Sequence, residues 1–71
     1  MQHQTQILEP IEAGKSYRLD TFKKFTGLGD HAMRAARRKC DELGIKLVRR
    51  LHSRAFVRGE DWLAYLDAVT Q

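Results

Sequence analysis

The sequence has a single cysteine, Cys40, so an internal disulfide framework is excluded. No apolar run approaches the roughly 20 residues of a membrane span, so no membrane partner is expected. The start, 1-MQHQTQ-6, lacks the basic and apolar regions of a signal peptide, which sets the expectation of a cytoplasmic protein. There is no internal repeat and no low-complexity segment. With 71 residues, one domain is expected. A domain of that size buries only about 60% of its unfolded surface. It has little room for a deep substrate pocket with its own cofactor, so neither is expected.

What the chain does have is an uneven distribution of positive charge. The formal net charge is +4 and the pI about 9.6, which points to anionic partners. Between His31 and Arg58 there are nine lysines and arginines against only Asp41 and Glu42. The rest of the chain is acidic on balance, with Glu9, Glu12, Asp20, Asp30, Glu60, Asp61 and Asp67 against four basic residues. A basic centre between acidic flanks is a more specific feature than a basic total.

Periodicity divides the chain into short elements. Residues 1–14 read as an N-terminal arm, polar and glutamine-rich at first and without a clear period through Gly14. The run 16-SYRL-19 alternates like a short strand. Asp20 is expected to cap a short helix through Thr26, with Phe22 and Phe25 inward and Lys23 and Lys24 toward water. Gly27 ends that helix in the left-handed conformation. A second helix is expected from Gly29 or Asp30 to Leu43, stopped by Gly44. At 100° per residue, Ala32, Met33, Ala36, Cys40 and Leu43 share one face, and His31, Arg34, Ala35 and Arg38 lie opposite. Arg37 and Lys39 fall on the flanks. The stretch 45-IKLVRRLHSRAFVRG-59 reads as a β-hairpin with a basic tip, although it lacks the Asn-Gly signature of the tightest turns. In 60-EDWLAYLDAV-69, Glu60 and Asp61 suit a first helical turn. Trp62, Leu63, Leu66 and Val69 form the expected inner stripe, with Tyr65 beside it.

Several apparent motifs dissolve on inspection. Gly27-Leu28-Gly29-Asp30-His31-Ala32 matches part of a dinucleotide fingerprint. The element before it reads as a helix, no βαβ unit fits, and Asp30 would repel a pyrophosphate. Gly14-Lys15-Ser16 imitates the end of a phosphate loop, but Glu9 stands where the first glycine belongs. His31 and Cys40 lie on opposite helix faces, so no metal site is expected. Ser16 and Ser53 have no recognisable base and orienting acid, so no catalytic group is expected and the chain reads as a non-enzyme. Trp62 and Tyr65, at helical spacing beside Leu63 and Leu66, read as core rather than as a stacking platform.

The strongest constellation is the basic helix face with the basic hairpin. Duplex DNA carries a phosphate charge about every 1.7 Å of its axis, so a binder needs several cations in one footprint. A helix fits the major groove, and arginine can bond guanine O6 and N7 together. Arg34 and Arg38 are four residues apart and project together, His31 lies one turn earlier, and Ala35 permits close approach. These are the expected base readers. Arg37, Lys39, Arg49, Arg50, Ser53 and Arg54 are the expected backbone contacts. The bland alternative is a solvated basic face with Asp41 and Glu42 as local ion-pair partners, and the competing function is a protein-interaction module that binds an acidic partner or self-associates. No aromatic signature of an RNA module is present.

The order strand, short helix, tight turn, helix, hairpin and helix resembles the compact winged helix-turn-helix domains of excisionases and MerR-type regulators. The resemblance rests on 17-YRLDTFKKFTGL-28, the helix from Gly29, the hairpin ending 55-AFVR-58, and 60-EDWLAYL-66. It implies a mostly helical α+β domain over residues 15–71 that binds double-stranded DNA, with self-association on DNA as a further expectation. The second helix would enter the major groove and the wing would contact backbone or minor groove. Where the family has Ser or Thr with a basic residue at the start of the second helix, this chain has Gly29 and Asp30. Asp30 is expected either to cap that helix or to accept from a cytosine amino group.

Overall fold

The computed structural model describes residues 10–70, so the expectation of a loose arm over residues 1–6 lies outside the described residues. The described residues form a small α+β fold of three helices and one three-stranded antiparallel sheet. The order is β1 (Ser16–Arg18), α1 (Leu19–Thr26), α2 (Asp30–Leu43), β2 (Val48–Leu51), β3 (Arg54–Arg58) and α3 (Gly59–Val69). The strands lie in the order β1-β3-β2, so the last strand is central and both others are edges.

Alternation along the strands defines two sheet faces. Tyr17 pairs with Val57, and Val57 with Val48, which places these three on the face toward the helices. The core gathers Tyr17, Phe22, Met33, Ala36, Cys40, Leu47, Val57 and Trp62 on that side. Phe22, Val57 and Cys40 are fully buried. The Phe22 ring meets Trp62 edge to face at 5.1 Å between centroids, and Tyr17 meets Phe25 similarly at 6.0 Å. Among the described residues no buried side-chain nitrogen or oxygen lacks a hydrogen-bond partner.

Two glycine stops act as expected. Gly27 adopts φ 76° and its N–H donates to the Lys23 carbonyl at 2.8 Å. At the end of α2, Gly44 adopts φ 78°. Its N–H donates to Asp41 and the next N–H, of Ile45, donates to Cys40, which satisfies the last carbonyls as a Schellman motif.

Other boundaries differ from the sequence expectation. Asp20 does not cap α1. Arg18 is the N-cap residue, and Asp20 sits inside the first turn, where its carboxylate accepts from the Thr21 N–H at 2.8 Å. The hairpin strand starts at Val48 rather than Ile45, because the Schellman turn carries Ile45 out of helical geometry and Leu47 goes into the core. Ala32 and Leu43 are exposed, so the inner face of α2 is the narrower set Met33, Ala36 and Cys40. In α3, Leu63 and Val69 face outward, and Trp62, Tyr65 and Leu66 face the core at spacing i, i+3, i+4.

Two close approaches hold the strand ends. The turn from Glu12 to Lys15 lies against the start of α3, where the Gly59 N–H donates to the Lys15 carbonyl at 2.8 Å. A Cβ at Gly59 would overlap the Glu12 carbonyl. Glu12 in turn donates its N–H to the Tyr17 hydroxyl at 2.8 Å, and Ile11 packs on the core, so the end of the expected arm is docked. The hairpin closes with the Leu51–Arg54 pair around only His52 and Ser53. Both have positive φ, 52° and 66°, as a two-residue type I′ loop needs.

Two outcomes follow for stability. Gly59→Ala is expected to lose about 1–3 kcal/mol through overpacking, read as a lower urea midpoint with unchanged slope. Replacing His52 by Asn together with Ser53 by Gly is expected to raise stability by about 1–2 kcal/mol, because those residues adopt positive φ at lower cost.

Candidate nucleic-acid interface

The turn from Gly27 to Gly29 sets the direction in which α2 leaves α1. Gly29 is its N-cap, with no side-chain cap, and Asp30 is the first helical residue. Asp30 therefore does not cap the helix. Its carboxylate accepts instead from the ammonium of Lys23 on α1. Lys23 is half-buried rather than turned to water as expected, and it ties the two helices across the glycine turn. This pair, with Arg34 one turn along as a weaker contributor, holds the Asp30 carboxyl below its ordinary range.

With Met33, Ala36 and Cys40 buried, α2 presents His31, Arg34, Ala35, Arg37, Arg38 and Lys39 to solvent. Lys39 is engaged locally, since its ammonium donates to Glu42 at 3.4 Å. Among the described residues Arg37, Arg38 and Arg54 make no ion pair.

Arg34 and Arg37 line a cleft of about 160 Å³ with Leu19 and Lys23 of α1. A second cleft, of about 340 Å³, begins at the same Leu19 and Lys23 and runs to Arg18, Ser53 and Arg54. The reason is visible in the register. β1 ends at Arg18, opposite Phe56, so the pairs Arg50–Ala55 and Leu51–Arg54 project beyond it. The overhang leaves a notch between the hairpin tip and the start of α1. Leu19 and Lys23 thus border two neighbouring clefts, one lined by Arg34 and Arg37 with Asp30, the other by Arg18 and Arg54 with Asp20.

Arg49 and Arg50 line neither of these two clefts. Arg49 alternates with Phe56 onto the opposite face of the sheet, and its Nε donates to Asp61 at 3.2 Å. Together with Arg50 it lines a separate cleft of about 450 Å³ there. Ser53 and Arg54 line the notch, where the register sets Arg54, like Arg18, on the same sheet face as Arg49 and Phe56. Arg18 and Lys23 are the members that sequence reasoning missed as site residues. A cation seven residues before Asp30, across a glycine turn, was the available signal for Lys23.

Cys40 is fully buried, and burial pushes its thiol up, with Asp41 and Asp61 adding to the effect. It behaves as a small apolar core residue. Among the described residues there is no group of three or more His, Cys, Asp or Glu side chains that could hold a metal ion. No helix among them is long and apolar enough to cross a membrane. The chain matches no protein-family model, and comparison with curated proteins and with solved structures finds no match either.

The ion pair at the head of α2 has a measurable signature. A depressed carboxyl pKa means the pair's contribution is complete above the ordinary value of 3.8 and is lost as pH falls through the folded-state value. In an NMR titration the Asp30 carboxyl midpoint is expected below 3.8, and Lys23→Met is expected to return it toward that value.

Proposed function

We propose that this chain is a winged helix-turn-helix protein that binds double-stranded DNA sequence-specifically, as a small transcription regulator or an excisionase-like architectural factor. In this reading α1, the Gly27–Gly29 turn and α2 form the helix-turn-helix, and the β2–β3 hairpin is the wing. The supporting observation is that Leu19 and Lys23 border both clefts, so the cationic side of α2 and the hairpin tip flank the same two residues.

Arg34 and Arg38 read bases in the major groove, with His31 assisting and Ala35 allowing close approach. Fourteen residues make α2 about 21 Å long, enough to follow the groove over its basic half while Asp41 and Glu42 stay away from it. Arg37, Arg54 and Ser53 hold phosphates, joined by Arg18. Lys23 shares its charge with Asp30, so Asp30 moderates the phosphate attraction at the head of the helix. The reading needs no catalytic group, metal or cofactor, and it implies a cytoplasmic protein. A protein-interaction role has its own support, in the cleft on the other face of the sheet.

If about five phosphates are neutralised, log affinity for duplex DNA falls with log salt at a slope of about −4.5. Arg34→Ala is expected to relax sequence preference at a cost of about 1–3 kcal/mol, whereas Arg54→Ala weakens all sequences alike and flattens the slope by about one. Salt-independent binding would contradict the mechanism.

A further inference from the structure

We propose that the sheet face turned away from the helices is a docking surface for an acidic protein segment that carries one bulky apolar side chain. The register places Phe56, Leu51, Arg49, Arg58 and Ser16 on this face, with Arg18 and Arg54 at its end beside the hairpin tip. Leu51 is 60% exposed there, and Phe56 lies half-buried beside it, so an apolar floor faces solvent. Lys46, Arg49, Arg50 and Arg58 surround the floor in a cleft of about 450 Å³. Two of these cations are already answered, Arg49 by Asp61 and Arg58 by Glu60. Lys46 and Arg50 have no acidic partner among the described residues. The cleft therefore offers an apolar site and two unanswered positive charges, which carboxylates flanking an apolar anchor complement. β2 is also an edge strand, so its free backbone edge borders the cleft and suits an extended segment.

The same observations disfavour other occupants. A second copy, docked by the same face, would bring two rims of net positive charge together. A single-stranded nucleic acid wants a run of cations and several stacking rings. This face has one aromatic ring, and Glu60 and Asp61 interrupt its rim. This cleft shares no lining residue with the clefts assigned to DNA, so the variants below separate the two readings.

The test is titration of the full chain, labelled with ¹⁵N, with a short acetylated peptide of glutamates around one phenylalanine and one leucine. Saturable amide shifts are expected at residues 46, 49–51, 56 and 58. Leu51→Ser and Arg50→Glu, both at exposed positions, are each expected to weaken the peptide by about ten-fold or more, which is about 1.4 kcal/mol. Leu51→Ser is expected to leave duplex-DNA affinity unchanged, so failure here is distinguishable from failure of the DNA reading. Absence of saturable shifts at millimolar peptide would overturn the proposal. So would equal binding of oligothymidylate at the same residues, or a concentration-dependent dimer that Leu51→Ser abolishes.

Discussion

The contact between Phe22 and Trp62 is the one on which the remaining geometry depends. A chain of 71 residues has a single thin core, and this pair joins α1 to α3 within it. Edge-to-face rings at 5.1 Å gain about 0.5–1.5 kcal/mol beyond their burial. The larger consequence is positional. With α1 held against α3, and β3 running directly into α3, the Gly27–Gly29 turn starts from a fixed point. Met33, Ala36 and Cys40 then seat α2 on the same core, and its arginines have nowhere to go but outward. The hairpin tip is fixed by the same strand, since β3 is central and carries the buried Val57.

The sheet also sorts the arginines. Clustered in sequence between His31 and Arg58, they separate in space into two groups. Arg34 and Arg37 line a cleft beside α1 and Arg54 the adjoining notch, while Arg49, Arg50 and Arg58 line the cleft around Phe56. Acids then tune each group. Asp30 engages Lys23 at the head of α2, and Asp61 and Glu60 engage Arg49 and Arg58 at the start of α3. A basic centre that reads as one patch along the chain is two surfaces of different character, one a groove bordered by cations and the other an apolar floor with a cationic rim.

Much of the fold was legible where a local cause determines it. Gly27 and Gly44 stop helices because the left-handed conformation is a property of the residue, and Met33, Ala36 and Cys40 repeat at helical spacing in an otherwise polar segment. Legibility failed where the cause is tertiary. α3 is apolar around most of its circumference, so periodicity alone could not choose Tyr65 over Leu63 and Val69. Gly59 is required by the Glu12 carbonyl, far away in sequence, and nothing beside Gly59 announces it. Within the candidate site, the exposed face of α2 was readable from its wheel. The fates of Arg49 and Lys23 were not, because they depend on strand register and on a partner across a turn. His52 and Ser53 form a two-residue loop without the glycine that usually reveals one.

The central claim is that α2 and the hairpin tip form one duplex-binding surface. Amide shift mapping on the full chain with a random-sequence DNA duplex tests it most directly. The account predicts shifts concentrated at residues 18, 23, 31–38 and 53–54, with little change at residues 46, 49 and 58. Shifts confined to that second set, or none at all at low salt, would contradict it.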